Sequence, residues 1–144
     1  MKALSNIDID AHLKDVDGFL GCYMKDELVK LKPLENGQSI VFNLNNHNQP
    51  GSHWTCAYRR NDVNYYFDSF GMMPATNIIQ YLRRNHKEII YSSNEIQNIK
   101  SQACGYYCID FIKGMNNGDE IYDILYKFNN DGSINNDTKL LKYI

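Results

Sequence analysis

The sequence predicts an α+β fold, and three observations support this class. Strand-like segments dominate the first half of the chain, whereas apolar residues at helical spacing dominate the second half. Strands and helices therefore do not alternate as they do in a regular βαβ protein. The length of 144 residues is typical of one domain, and no repeat of fixed period is present. We expect a single domain over residues 1–144.

The first half of the chain contains a short N-terminal helix pattern and three strand patterns. Residues 6–13 fit a helix capped by Asn6, although spacing with a period of two fits nearly as well. Three strands are predicted over residues 39–44, 53–58 and 64–68. The turn Asn36-Gly37 precedes the first strand, and a loop over 45–52 separates it from the second.

The second half is mainly helical. A helix follows Pro74 and Thr76 and ends near His86, and a short strand is predicted over 88–91. Further helices are predicted from Cys104 to Met115, after a cap at Asn117, and from Asp137 to Ile144.

Composition excludes several classes of protein. Apolar residues make up 43% of the chain and charged residues 22%, as in soluble globular proteins, and the 12% of aromatic residues argues against disorder. A net charge of −2 without long basic runs disfavours nucleic acid as the main ligand. No apolar stretch reaches the ~20 residues of a membrane span, and no signal peptide is recognisable. We therefore expect the four cysteines to be reduced thiols, and their spacing does not suit a structural zinc site.

Cys104 is the candidate nucleophile. A catalytic thiol attacks as the thiolate, which a helix N-terminus and a neighbouring histidine both favour. The helix predicted from Cys104 would place its sulfur at the positive end of the helix dipole. Gly105 would then leave room for the backbone of a substrate. Taken alone, a cysteine is more often a small buried residue of the core.

His53 is the candidate base that activates this thiol, and Asp68 is the candidate partner of His53. If residues 59–62 form a four-residue hairpin loop closed by the pair Tyr58–Val63, His53 lies directly opposite Asp68. Side chains directly opposite each other have Cβ atoms about 4.5–5.5 Å apart. The carboxylate would then orient the imidazole and stabilise its cation, as in a catalytic triad. A slip of one residue would put the two on opposite faces.

Three ordered motifs resemble those of a known enzyme family. The strings GSHW (51–54), YYFDSFG (65–71) and QNIKSQACGYYC (97–108) resemble the adenain family of adenovirus maturation proteases. More broadly, they resemble the clan that includes the SUMO-deconjugating proteases. The likeness extends to the maturation proteases of virophages and polinton-type elements, in which residues 20–28 also have a counterpart. The resemblance implies a small mixed or antiparallel sheet flanked by helices, with the nucleophile at a helix N-terminus.

The resemblance also implies roles for individual residues. Cys104 would be the nucleophile, His53 the general base and acid, and Asp68 its orienting partner. Gln97, seven residues before the nucleophile, matches the glutamine that donates to the oxyanion. Trp54 would form a wall of the groove just before the scissile bond, where a narrow slot admits glycine. Considered by itself, Trp54 is equally consistent with a core aromatic residue.

Gln102 is the alternative to Gln97 as oxyanion donor, although it lies too near the nucleophile to match the motif. Gly105 is kept as a substrate-binding residue. No metal or organic cofactor is implied.

The implied function is that of a viral cysteine endopeptidase, a single protease domain over residues 1–144 that cuts capsid or other virion proteins near Gly-X or Gly-Gly. We expect a monomer that acts in the host cytoplasm at the site of assembly, or within the virion, without membrane contact. The adenovirus enzymes are activated by a viral peptide and DNA. The shorter segment after the nucleophile helix and the absence of a basic stripe argue against both activators here.

Three other interpretations stay open on sequence alone. The same motifs fit a protease that deconjugates a ubiquitin-like or SUMO-like modifier. A catalytically silent binding module of the same fold is a second alternative, although all four catalytic residue types are present. The third, zinc binding through Cys104, Cys108 and His53, has unsuitable spacing.

Overall fold

The computed structural model describes residues 1–46, 53–86 and 88–144. Within these ranges the strands are β1 (Phe19–Met24), β2 (Ser39–Asn43), β3 (Trp54–Arg60), β4 (Val63–Phe67) and β5 (Ile89–Tyr91). The α-helices are α1 (Asn6–Leu13), α2 (Thr76–Leu82), α3 (Cys104–Asn116), α4 (Ile121–Tyr126) and α5 (Asn135–Leu140), and a 3₁₀ helix spans Lys25–Lys30. Most of the loop predicted over 45–52 lies outside the described residues.

The strands form one mixed sheet of five strands in the order β1-β2-β3-β4-β5. The three central strands are antiparallel to one another, whereas β1 runs parallel to β2 and β5 runs parallel to β4. The predicted α+β class, with a small mixed sheet flanked by helices, is confirmed.

Helices cover both faces of the sheet because the side chains of its strands alternate between two apolar clusters. Cys56 and Tyr58 of β3 pack with Phe111 of α3 in the larger cluster, to which α1, α4 and α5 also contribute. Ala57 points the other way and packs with Ile78 of α2. This arrangement fixes α3 against the central strand, with its first residue at one end of the sheet.

Two helix caps differ from the sequence prediction. The cap of α1 is Ser5, whose hydroxyl accepts a hydrogen bond from the Asp8 backbone while the Asp8 carboxylate accepts one from the Ser5 backbone. This reciprocal pair satisfies two backbone donors, which is why the helix begins one residue earlier than a cap at Asn6 would give. Asn117 ends α3 instead of capping α4, which is preceded by Glu120.

Strand β1 was not predicted. Its sequence, FLGCYM, is an apolar run that Gly21 interrupts, and its mostly half-buried side chains show no alternation. Gly21 has a φ of 120°, and the pairing with β2 is irregular between Phe19 and Cys22. A glycine within a short strand is typical of such an irregularity.

The turn between β3 and β4 is shorter than predicted. Only Asn61 and Asp62 form it, and both have positive φ, of 52° and 66°. A two-residue turn of this kind suits the twist of a hairpin, and Asn and Asp tolerate the conformation. Arg60 therefore lies opposite Val63, and the predicted four-residue loop with Tyr58 opposite Val63 is wrong.

The corrected register differs from the predicted one by two residues. Because side chains alternate with a period of two, this shift leaves His53 and Asp68 on the same face of the hairpin. Continued beyond the last pair of the ladder, the register puts His53 opposite Phe70 and makes Asp68 its diagonal neighbour. The rings of His53 and Phe70 are stacked, with centroids 4.6 Å apart.

Helix α5 fixes the segment that leads into α3. Asp137 accepts hydrogen bonds from the hydroxyls of Ser101 and Tyr107, both at 2.7 Å. The fully buried Asn136 donates to the carbonyl of Ile96 at 2.9 Å. Among the described helices, none is long and apolar enough to cross a membrane.

Candidate active site

Three segments that are distant in sequence meet at one end of the sheet. His53 directly precedes β3, Asp68 directly follows β4, and Cys104 is the first residue of α3. The hairpin brings the first two together, and the packing of α3 on β3 brings in the third.

His53 and Asp68 form a short, buried hydrogen bond. His53 Nε2 lies 2.7 Å from Asp68 Oδ1, and the side chains are 15% and 2% exposed, respectively. A carboxylate only accepts hydrogen bonds, so Nε2 carries the proton and donates it to Asp68. Asp68 Oδ1 also accepts the backbone N–H of Phe70 at 2.9 Å, which holds the carboxylate in place. The imidazole is thereby fixed at its edge by Asp68 and on its face by Phe70.

Cys104 lines the same cleft as His53, and its side chain interacts with the imidazole through a hydrogen bond. Because Nε2 faces Asp68, Nδ1 is the ring atom left for the thiol. The residue before α3 is Ala103, and no side chain among the described residues caps this helix. The first backbone N–H groups of α3 are therefore available to a negative charge on the sulfur.

The surroundings of His53 favour its protonated form. Burial lowers the pKa of the imidazole, but hydrogen bonds to Asp68 and Cys104, together with the charges of both groups, outweigh burial and raise the pKa to about 9. An imidazolium at neutral pH is the natural partner of a thiolate. The site can therefore hold a thiolate–imidazolium pair.

This raised pKa predicts a dependence of stability on pH. A group whose pKa is higher in the folded than in the unfolded protein contributes its full stabilisation below the unfolded pKa, which is about 6.5 for histidine. This stabilisation is lost as the pH rises through the folded pKa. We expect the stability difference between wild type and His53→Ala to be largest below about pH 6.5 and to shrink as the pH rises through about 9. Urea unfolding of both proteins across this pH range measures the difference in their free energies of unfolding. A difference that grows with pH would contradict a raised pKa of His53.

Gln97 lies beside the thiol and the imidazole in the same cleft, with 1% of its surface exposed. Its Nε2 donates to the backbone carbonyl of Ser101 at 2.9 Å, and its Oε1 accepts from the hydroxyl of Ser69 at 2.5 Å. Nε2 carries a second hydrogen, which has no hydrogen-bond acceptor among the described residues. Gln102, the alternative donor, is exposed but lines the cleft as well.

The cleft has a volume of about 640 Å³. One wall is formed by the N-terminal segment Ala3–Asn6, whose position here was not predicted. Trp54 also lines the cleft, and its Nε1 donates to the carbonyl of Leu4 at 2.9 Å. The indole is therefore part of the core and also lines the cleft. Its contact with a substrate stays a prediction.

Gly105 packs against the protein's own N-terminal segment. A side-chain carbon at this position would lie 3.2 Å from Leu4 Cβ and 3.3 Å from Ile9 Cδ1. The missing side chain thus makes room for this segment, and the contact of Gly105 with a substrate stays a prediction. Gly105 is buried and is not among the residues that line the cleft.

The remaining cysteines differ from Cys104 in their surroundings. Cys22 lines the cleft, but burial and the carboxylate of Asp10 raise the pKa of its thiol. Cys108 is fully buried next to Cys56, and burial raises its pKa as well. Within the described residues, no three His, Cys, Asp or Glu side chains form a cluster that could hold a metal ion.

Sequence reasoning missed two contributors to the site, Ser69 and Phe70. Both lie inside the YYFDSFG string, directly after Asp68, so the motif marked their positions without indicating their contacts. The only available signal was the even spacing of Asp68 and Phe70 on the hairpin, which becomes informative once the register is known.

Comparison with other proteins gives one sequence relative. R355 of Acanthamoeba polyphaga mimivirus, which its name describes as a candidate thiol protease, is 34% identical over 100 residues. The match covers 60% of this chain and 32% of R355, so the chain spans about a third of the length of this relative. No protein-family model matches the chain.

Comparison with solved structures identifies the fold. Two crystal structures of the ASFV pS273R protease, one of the selenomethionine protein, match with TM-scores of 0.61 and 0.55 at 17% and 18% identity. Both matches cover 90% of this chain, and they cover 63% and 64% of the protease. The chain therefore has the α+β, SUMO-protease-like fold of this viral protease.

Proposed function

We propose that this chain is a viral cysteine endopeptidase domain, with Cys104 as nucleophile, His53 as general base and acid, and Asp68 as its orienting partner. The observation that carries the proposal is the series of contacts from Asp68 through His53 to Cys104 at the wall of an open cleft. The thiol also lies at the N-terminus of α3, which no side chain in the described part of the protein caps. The match to R355 and the fold of a viral protease support the viral assignment.

The proposed reaction is acyl transfer through a thioester. His53 takes the thiol proton, and the thiolate of Cys104 attacks the carbonyl carbon of the scissile bond. The protonated imidazole gives its proton to the leaving amine, and His53 then activates the water that hydrolyses the thioester. Asp68 holds the imidazole in the tautomer and orientation that both steps require.

Gln97 is proposed to stabilise the oxyanion, because it lines the same cleft as Cys104 and only one of its two Nε2 hydrogens is bonded to Ser101. We expect Gln97→Ala to lower the rate of acylation by about 10²–10³, the usual loss of one oxyanion donor. Gln102→Ala is the matched control, since it removes an amide of the same type that lines the same cleft. Near-normal activity of Gln97→Ala together with a defect in Gln102→Ala would transfer the role to Gln102.

The proposed substrates are capsid or other virion proteins cut next to glycine, with cleavage in the host cytoplasm where virions assemble. The finer assignment to the adenain, virophage and polinton-type enzymes belongs to this proposal. It rests on the three motifs that supply Cys104, His53, Asp68 and Gln97.

Co-expression with the major capsid protein of the same viral genome tests the substrate. Wild type and Cys104→Ala are compared by intact-mass analysis. A cut next to glycine in the wild-type sample alone supports a maturation protease. If only ubiquitin-like or SUMO-like electrophilic probes react with Cys104, the substrate is a modifier conjugate. A Cys104 that reacts with no acylating reagent would leave a binding module of the same fold.

A further inference from the structure

The side chain of Ser69 is buried against the amide of Gln97. Ser69 is 1% exposed, and its Oγ lies 2.5 Å from Gln97 Oε1. On the other side of this amide, Nε2 lies 2.9 Å from the backbone carbonyl oxygen of Ser101. The amide is therefore held between one hydroxyl and one carbonyl.

These two contacts determine which end of the amide is the NH₂ group. The carbonyl of Ser101 only accepts hydrogen bonds, so the amide end that meets it must be the NH₂ group. The hydroxyl of Ser69 then donates to Oε1, which is the acceptor that remains. A flipped amide would set two oxygens against each other at Ser101. In the orientation shown, neither Ser69 nor Ser101 uses the second N–H of Gln97.

The backbone of Ser69 supports the same residue. The carbonyl oxygen of Ser69 accepts the backbone N–H groups of Ile96 and Gln97, both at 2.9 Å. Ser69 thus contacts Gln97 through its main chain and through its side chain. It also follows Asp68 directly, so two consecutive residues hold the imidazole and the amide.

We propose that Ser69 is a positioning residue, which orients the amide of Gln97 as the oxyanion donor through its hydroxyl. The inference rests on the proposed function, because it deepens the role given there to Gln97. Ser69 touches neither the thiol nor the imidazole in this scheme and acts only through Gln97.

Two reagents for Cys104 separate this role from a general effect on the site. p-Nitrophenyl acetate acylates the thiolate through a tetrahedral intermediate: the sulfur bonds to the carbonyl carbon, p-nitrophenolate leaves, and water later releases acetate. Iodoacetamide alkylates the same thiolate by displacing iodide, and no oxyanion forms. We expect Ser69→Ala to slow acylation by about tenfold, less than the ~10²–10³ of losing the donor itself, and to leave alkylation unchanged.

Matched variants complete the experiment. Ser39→Ala also removes a buried hydroxyl, one that has no hydrogen-bond partner among the described residues, and should react like wild type with both reagents. Ser69→Thr keeps the donor and should retain fast acylation. In a Gln97→Ala background, Ser69→Ala should cause no further loss, because two residues that act through one interaction are not additive.

Several outcomes would overturn the inference. The first is that Ser69→Ala is acylated as fast as Ser39→Ala. The second is that Ser69→Ala loses the same factor in acylation and in alkylation. The third is that Ser69→Ala lowers the acylation rate by its full factor again in the Gln97→Ala background. If Ser69→Ala does not fold, Ser69→Cys, with a similar shape and a weaker donor, takes its place under the same criteria. A wild-type Cys104 that reacts with neither reagent would instead refute the proposed function.

Discussion

Replacing Cys104 with alanine is expected to abolish cleavage while the protein stays folded. The sulfur is the atom that forms the thioester, and removal of a nucleophile from such a catalytic unit costs about 10⁶ in rate. The fold should tolerate the change, because Cys104 is the first residue of α3 and alanine favours a helix more than cysteine does. Intact-mass analysis with p-nitrophenyl acetate measures acylation, and thermal unfolding by circular dichroism checks the fold.

Cys22→Ala is the control for this experiment. Cys22 lines the same cleft, yet burial and the carboxylate of Asp10, 3.5 Å from its sulfur, raise its pKa and keep it a neutral thiol. We expect Cys22→Ala to be acylated like wild type. If cleavage persists in Cys104→Ala and disappears in Cys22→Ala, the nucleophile is Cys22 and not Cys104.

Asp68→Asn should lower kcat/KM by roughly 10²–10⁴, approaching the loss of the equivalent carboxylate in serine-protease triads. The amide oxygen of asparagine can still accept from His53 and from the backbone N–H of Phe70, so the substitution mainly removes charge. Without that charge, the imidazolium loses an interaction that raises its pKa. We therefore expect the substitution to change both the value of kcat/KM and its dependence on pH.

Asp110→Asn is the matched control for the loss of a buried carboxylate. Asp110 is 6% exposed and binds Lys127 Nζ at 2.7 Å, and it belongs to the same helix as the nucleophile. We expect this variant to unfold more easily, since it leaves a cation with a weaker partner, but to keep kcat/KM and its pH profile. Equal kinetic losses in both variants would show that Asp68 has only a structural role.

The two strands next to His53 and Asp68 show how much of the site the hydrophobic periodicity of a sequence can predict. The sequence pattern located both strands, and the period of two placed both residues on the same face even though the turn was predicted with the wrong length. The turn was misjudged because Asn61 and Asp62 adopt positive φ without any glycine, the usual signal for a two-residue hairpin. A register error of one residue, instead of two, would have placed His53 and Asp68 on opposite faces of the hairpin.

Other parts of the site had no local signal. Strand β1 pairs in parallel with β2, and Gly21 interrupts its short apolar run, which weakens the strand pattern in the sequence. The position of Leu4 depends on contacts with Trp54 and Gly105, which are distant in sequence. Glycine beside a nucleophile is equally compatible with a substrate or with a packed chain segment above it. Only the tertiary arrangement decides between the two.

The wall formed by Ala3–Asn6 has a practical consequence for how the protein is produced. Met1 is 43% exposed and lies two residues before this wall, so a peptide fused ahead of Met1 leaves the protein beside the mouth of the cleft. This segment forms one wall of the cleft, and the hydrogen bond from the indole of Trp54 to the carbonyl of Leu4 holds it there. An affinity tag at the N-terminus is therefore expected to alter access to Cys104 more than the same tag at the C-terminus.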